Sequence, residues 1–269
     1  MTAVALTVAG SDPSGGAGVQ ADLKTFSALG TYGTAVLTAL TAQSTRGVTG
    51  VHGVPAAFVG LQLRTLLDDV DVHATKLGML GTAEVVREVA AVLGERRVGP
   101  VVCDPVMVAT SGDRLIDEEA VAAVRTDLLP LADLITPNVP ESAALLGVAP
   151  ATHVDELPEQ AVALLALGPG AVLLKGGHLG GADSVDVLAS PEGVHVTRRP
   201  RVRTNATHGT GCTLSSAIAA LAARSPDAGW PALVERARDY LQGALEAGGA
   251  LGIGSGHGPV HHFAGIWPD

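Results

Sequence analysis

The run Asn205-Ala206-Thr207-His208-Gly209-Thr210-Gly211-Cys212-Thr213 places two glycines, a threonine and a cysteine ahead of an apolar stripe made by Leu214, Ala217, Ile218, Leu221 and Ala222. That spacing predicts a helix opening near Gly211 or Cys212. The first turn of a helix leaves backbone N–H groups unpaired, and the aligned peptide dipoles make that end partly positive. Gly209 and Gly211 let an anion approach the backbone, so Gly209, Thr210, Gly211 and Cys212 suit a phosphate group. A thiol at a helix mouth is expected to ionise more readily than a free one, and Cys212 as thiolate would be a proton acceptor beside the phosphate. The plainer alternative makes Cys212 a small core residue and the glycines a tight turn; the Gly-Thr-Gly-Cys grouping favours chemistry.

Two carboxylates and a lysine stand at other expected strand ends. Residues 101–107 read as a strand carrying Asp104 at its mouth, with Ser111-Gly112-Asp113 continuing the loop. Residues 134–141 repeat the arrangement, ending on Asn138 and Glu141 before a helix. An acid at the mouth of a buried strand must be solvated, paired or bound to a cation. Asp104 and Glu141 on adjacent strands would be enough to steer a hydrated Mg²⁺, which keeps several of its waters. Glu141 as an ordinary first-turn acid is the alternative. Lys175 follows an expected strand over residues 171–174 and opens Lys175-Gly176-Gly177-His178, where an ammonium can reach a phosphate as a point charge.

The elements that must position these groups follow from apolar runs and turn formers. A first strand over residues 3–9 breaks at Gly10-Ser11-Asp12-Pro13-Ser14-Gly15-Gly16-Ala17-Gly18, and a helix follows through Val19, Leu23, Phe26 and Leu29. Gly16-x-Gly18-x-x-Ala21 imitates a dinucleotide fingerprint. The second strand (residues 35–39) leads into Thr41-Ala42-Gln43-Ser44 without the required acid, which rules out a dehydrogenase. Asp22 and Gln43 stand at the edge where open α/β sheets gather ligands, although a first-turn acid and a solvated glutamine are equally ordinary readings. Helices are expected over residues 58–70, 84–93, 118–128, 155–167 and 230–248, with a strand at 74–77. Met79 in the following turn is either core filling or a ligand contact. Short strands at 185–188 and 193–197 suggest a hairpin, followed by a basic cluster at Arg198, Arg199, Arg201 and Arg203 read mainly as a solvated edge, with one arginine touching nucleotide as the lesser alternative. Of three histidines, His257, His261 and His262, the first is separated from His261 by Gly and Pro, so no helix aligns them, which fits a capping loop better than a zinc site.

The whole composition agrees. Apolar residues make up 47% and aromatics 3%, so an aliphatic core of buried parallel strands covered by helices is expected. With no linker-like break or repeat, residues 1–269 read as a single domain. The formal charge of −10 argues against a nucleic-acid surface. The N-terminal apolar run lacks a basic lead, and no apolar stretch is long enough to span a bilayer. Two cysteines, Cys103 and Cys212, fit reduced thiols and a cytoplasmic chain.

These segments together resemble the hydroxymethylpyrimidine/phosphomethylpyrimidine kinases of thiamine biosynthesis, within the ribokinase-like superfamily. The resemblance runs through residues 9–22, Lys76-Leu77-Gly78-Met79-Leu80, Asp104-Pro105-Val106-Met107, Thr136-Pro137-Asn138-Val139-Pro140-Glu141, Lys175-Gly176-Gly177-His178, residues 208–212 and residues 256–263. It implies a central, mostly parallel sheet with helices on both faces, a homodimer, and ATP with Mg²⁺. It further implies that Asp22 and Gln43 hold the aminopyrimidine edge, that Met79 and Val106 pack on the ring, and that Asn138 and Lys175 lie near the ATP phosphates. Asp104 and Glu141 would handle Mg²⁺, and Cys212 would stand where many superfamily relatives carry an aspartate base. Ser44 and Ala206 depart from the residues more usual in the family (Asn and Thr). The implied reaction is phosphoryl transfer from ATP to a pyrimidine alcohol and then to its monophosphate. Pyridoxal kinase and a non-catalytic vitamin- or nucleotide-binding regulator are the alternatives; the latter would need an output module, and no spare segment is apparent.

Overall fold

The computed structural model describes residues 2–96, 98–107 and 116–267. The loop expected at Ser111, Gly112 and Asp113 lies outside the described residues. In chain order the elements are β1 (Val4–Ser11), α1 (Gly18–Ala28), β2 (Tyr32–Ser44), β3 (Gly47–Gly53), α2 (Ala56–Leu67), β4 (Ala74–Leu77), α3 (Ala83–Glu95) and β5 (Val101–Cys103). They continue with α4 (Glu118–Ala123), β6 (Leu134–Ile135), α5 (Val139–Leu146), α6 (Leu157–Leu165), β7 (Val172–Lys175), β8 (Asp183–Ser190), β9 (Gly193–Pro200), α7 (Thr210–Arg224) and α8 (Trp230–Gly248).

Among the described residues nine strands form one sheet in the order β3-β2-β1-β4-β5-β6-β7-β8-β9. The six from β2 to β7 run parallel, β3 and β8 run antiparallel to them, and β9 turns back antiparallel to β8. This is the mostly parallel sheet expected from the aliphatic composition. Successive side chains of a strand face opposite sides, so the sheet feeds two cores. Leu6, Val8 and Leu77 pack with α2, α3 and α6 on one face, while Ala5, Ala74 and Val102 pack with α1, α7 and α8 on the other. No helix of the described residues is long and apolar enough to cross a membrane.

Three elements depart from expectation. β2 does not stop near residue 39 but runs to Ser44 and folds back on β3, so Thr41 and Gln43 sit on a two-stranded ribbon instead of a loop. The half-exposed ribbon has little apolar content to announce it. β5 ends at Cys103, four residues early, because Pro105 lacks an N–H for the ladder and constrains Asp104. The helix expected over 118–128 passes after Ala123 into a single π turn, Val124–Leu128. Elsewhere side-chain caps set the helix starts: Thr82 for α3, Asp117 for α4, and a reciprocal Asn138–Glu141 capping box for α5.

The chain goes from β1 to β2 on one side and returns to β4 on the other, so the neighbours β1 and β4 form the switch point of the sheet, where α/β folds open a crevice. A polar knot is buried just there. Asp22 of α1 accepts from Lys76 Nζ of β4 at 2.9 and 2.8 Å, from Thr7 Oγ1 of β1 at 2.6 Å and from Ser216 Oγ of α7 at 2.6 Å. Both charged side chains are fully buried. Burial favours neutral Lys76, but the attraction of Asp22, with Cys212 and Asp104 adding to it, outweighs this and raises the ammonium above its ordinary pKa. Replacing Lys76 with Met leaves the Asp22 carboxylate buried without its cation. The expected loss is about 3–5 kcal/mol of folding free energy, read as a lower urea midpoint; an unchanged midpoint would show that the pair does not hold these four elements together.

Candidate active site

A cavity of about 970 Å³ opens at the C-terminal ends of β1, β4, β5 and β7. At its centre is the start of α7. Gly209 precedes the helix with φ +80°, and a Cβ there would stand 1.7 Å from Gly16 O, so only glycine fits. The helix begins at Thr210, one residue before the expected start. Gly211 faces the ion pair described below: a Cβ on it would lie 3.3 Å from Lys175 Nζ and 3.5 Å from Asp104 Oδ2. Backbone N–H groups of the helix mouth therefore meet a fixed cation in one corner of the cavity. The glycine-rich turn after β1 closes on the same corner. Asp12 accepts from Ser14 N–H (2.9 Å), Ser14 Oγ (2.7 Å) and Ala17 N–H (2.8 Å), and its Oδ2 lies 2.7 Å from His208 Nε2. Burial opposes its charge, but the hydrogen bonds, that of His208 foremost, hold Asp12 below the usual carboxylate range.

Cys212 lines the cavity, aimed by the knot beneath it. Ser216, which binds Asp22, lies four residues on and so on the same face of α7. Its ionisation corrects the sequence expectation. Burial, with Asp22 and Asp104 nearby, pushes the thiol up to about 11 against the opposing pull of Lys76 and a hydrogen bond from Gly18 N–H. In the free chain Cys212 is a thiol at neutral pH, because lost hydration and two neighbouring carboxylates outweigh the helix mouth.

Asp104, just past β5, accepts from Lys175 Nζ at 2.8 Å and from Thr136 Oγ1 at 3.0 Å, both on Oδ1. Burial alone would raise its pKa, but Lys175 and Lys76 hold it down, and Lys175 is held charged by Asp104 and Glu141. Glu141 accepts from Asn138 N–H at 2.8 Å within the capping box. Burial, helped by Asp104 and opposed by Lys175, pushes it up to about 7. An acid left short of positive charge beside a second carboxylate is where a cation is favoured. Among the described residues no three His, Cys, Asp or Glu side chains gather into a cage. Two carboxylates without a cage match Mg²⁺, which keeps water and phosphate oxygens as its other ligands, better than a metal held by protein alone.

Gln43, Met79 and Val106 also stand on the cavity wall. Met79 lies against Gly10, where a Cβ would come within 2.4 Å of its Cε. Gln43 Oε1 accepts from Thr41 Oγ1 at 3.2 Å. Asn138 completes the wall near Lys175, its backbone bridged to that residue. Asp22 is the exception among the expected site residues. It is 0% exposed, absent from the cavity wall and bound to Lys76, Thr7 and Ser216, so it supports the site from below and meets no ligand in this arrangement. The reason is Lys76, a cation that needs a buried counter-charge.

Sequence reasoning gave no role to Lys76, Asp12 or His208. For Lys76 a signal existed: a lysine inside the short strand Ala74–Leu77. Arg201, taken for part of a solvated edge, donates to the carbonyls of Gly177, Leu179, Gly181 and Asp183 and shapes the loop after β7. Asp186, paired with Arg238, accepts from Gly176 N–H at 3.0 Å and steadies the turn that carries Lys175. Arg199 does belong to the surface, paired with Glu235 and Asp239.

Comparison with known proteins gives this site a family. A sequence profile described as phosphomethylpyrimidine kinase matches residues 12–261. The hydroxymethylpyrimidine/phosphomethylpyrimidine kinase of Escherichia coli (strain K12) is 51% identical over 263 residues, covering 98% of each chain. Among solved structures, an ADP complex of Bacillus subtilis pyridoxal kinase superposes with a TM-score of 0.90 at 35% identity over 98% of both chains. A phosphomethylpyrimidine kinase from Clostridium difficile 630 superposes at 0.78 with 39% identity, covering 89% of this chain and 97% of that one. With a ribokinase-like sheet, a helix-mouth cradle and sequence identity that runs nearly end to end, the chain belongs to the phosphomethylpyrimidine kinase family.

Proposed function

We propose that this chain transfers the γ-phosphoryl group of ATP to the hydroxymethyl of 4-amino-5-hydroxymethyl-2-methylpyrimidine, and then a second phosphoryl to the monophosphate, in thiamine biosynthesis. The observation that carries the reading is one cavity in which the helix-mouth cradle, the Lys175–Asp104 pair and a ring-sized wall of Gln43, Met79 and Val106 converge. That cavity belongs to a chain about half identical, over nearly its full length, to kinases named for this pyrimidine.

In this reading Gln43 takes the polar edge of the ring, while Met79 and Val106 pack on its faces. Asn138 and Lys175 lie by the ATP phosphates, and the N–H groups of Gly209, Gly211 and Cys212 receive the migrating phosphoryl group, while Thr210 N–H and its hydroxyl are taken by Thr207 O at 3.2 and 2.6 Å and shape the turn. Asp104 and Glu141 fit a hydrated Mg²⁺, which when bound offsets phosphate charge. Most of the rate then comes from positioning and fixed charge. Cys212 is the candidate proton acceptor. A resting thiol cannot act as a base, so the role requires ionisation in the loaded site, where Lys76, Gly18 N–H and the helix mouth favour the thiolate. The single continuous sheet supports one catalytic domain over residues 1–269. Exposed Leu40 and Val51 stand on opposite faces of the β2–β3 ribbon, and the homodimer is proposed from the resemblance to these kinases. A cytoplasmic location fits two unpaired cysteines.

A second reading, pyridoxal kinase, is favoured by the close superposition on the Bacillus subtilis enzyme. Product analysis with ATP and the pyrimidine alcohol, its monophosphate, or pyridoxal decides between them. Monophosphate and diphosphate of the pyrimidine are expected; turnover of pyridoxal alone would overturn the first reading. Cys212→Ala should lower kcat by about a hundredfold or more with little change in ATP binding, and near-normal turnover would remove Cys212 as base. In the free chain the iodoacetamide alkylation rate at Cys212 should climb about tenfold per unit from pH 7 towards pH 10, since only the thiolate reacts and its pKa is about 11. A plateau near pH 8 would contradict the raised pKa of this thiol.

A further inference from the structure

Residues 252–258 belong to no helix or strand, yet they touch both sides of the cavity. At one end this segment grips the turn of the β2–β3 ribbon. Gly256 N–H donates to Thr45 Oγ1 at 3.2 Å, and His257 N–H to Thr45 O at 2.9 Å. The approach is too close for side chains: a Cβ on Gly256 would stand 2.1 Å from Thr45 O, and one on Gly254, at φ +75°, 2.2 Å from Thr45 Oγ1. At the other end Gly258 O accepts from His208 N–H at 3.0 Å, and Pro259 pairs with His208 as an isolated parallel bridge. Thr45 lies two positions beyond Gln43, and His208 immediately precedes Gly209. A short piece of backbone thus connects the wall that carries Gln43 to the cradle that carries Cys212.

Core packing does not account for these contacts. Residues 252–257 are exposed, so the segment buries little apolar surface of its own. What it does is fix a spacing. His208 is held to the glycine turn through Asp12, and Thr41 Oγ1 holds the ribbon to the same turn through Ser11 O at 2.8 Å. The strap closes this ring of contacts around the cavity mouth.

We infer that Thr45 and Gly256 are positioning residues whose contact makes residues 252–259 a strap. The strap sets the distance between the acceptor side at Gln43 and the phosphoryl cradle, so that filling either side favours filling the other. The inference rests on the kinase reading above. Neither residue lines the cavity, so both act through Gln43 and His208.

The test is the coupling between ligands, a quantity that is reciprocal by thermodynamic necessity. Calorimetry measures binding of 4-amino-5-hydroxymethyl-2-methylpyrimidine with and without the non-hydrolysable nucleotide AMP-PCP, and of AMP-PCP with and without the pyrimidine. In the parent chain each ligand should tighten the other by about tenfold. In Gly256→Ala, where the added methyl must push the strap off Thr45, the factor should fall to near one with the thermal midpoint lowered by only a few degrees. Thr45→Val, which keeps the shape and removes the accepting hydroxyl, should give an intermediate factor; it also serves as the second variant if Gly256→Ala does not fold. A parent chain without coupling, or variants that retain it in full, would overturn the strap and leave the kinase reading standing. A parent chain that does not bind the pyrimidine at all would overturn the kinase reading, and the strap with it.

Discussion

An ammonium group with no exposure to water governs how this molecule is built. Lys76 is buried where β1, β4, α1 and α7 meet, and an unpaired charge there would cost several kcal/mol. Asp22 supplies the counter-charge, and Thr7 and Ser216 occupy its remaining acceptor positions. The requirement sets the seat of α1 against the sheet and the rotation of α7 about its axis. With Ser216 pinned to Asp22, the residue one turn earlier, Cys212, must face the cavity. The same interaction that stabilises the switch point of the sheet therefore orients the side chain with the most direct claim to chemistry.

Charge alternates outward from that knot. Lys76 and Lys175 flank Asp104, which stays ionised despite its burial, while Glu141 lies at the end of the series with a pKa raised to about 7. Donors and cations are already arranged around a volume able to hold a ring and a phosphate chain, so little reorganisation is needed when charge moves during phosphoryl transfer. Partial burial and the nearby Asp22 and Asp104 also keep Cys212 protonated at rest. In the proposed reading the site is completed by its substrates, which would limit transfer of phosphate to water. The strap formed by residues 252–259 fits this logic, since it ties the two halves that must be filled together.

Much of this was legible in the sequence wherever a signal is local. Glycine spacing before an apolar stripe placed the mouth of α7 within one residue. Strand ends were marked by Asp104, Asn138 and Lys175, and the β8–β9 hairpin by its turn residues. The extension of β2 and the existence of β3 were not legible, because a half-exposed ribbon needs no apolar alternation. Asp22 could be assigned to the right region but not to the right layer, since a first-turn acid looks the same from the sequence whether it faces a ligand or a buried lysine. Arg201 was obscured by neighbours that are truly solvated, Arg198 and Arg203.

Hydrophobic period, turn chemistry and helix capping act between residues a few positions apart, so the order of elements, the class of fold and the position of the α7 mouth are properties of the chain as written. Protonation and layering arise between groups distant in sequence: Asp22 and Lys76 are 54 positions apart, Asp104 and Lys175 are 71 apart, and Asp12 and His208 are 196 apart. Electrostatic energy depends on distance through space and on how much water lies between the charges. Those quantities exist only once the sheet has closed over them, and for that reason the folded molecule alone settled that Cys212 rests as a thiol and that Asp22 works from beneath the site.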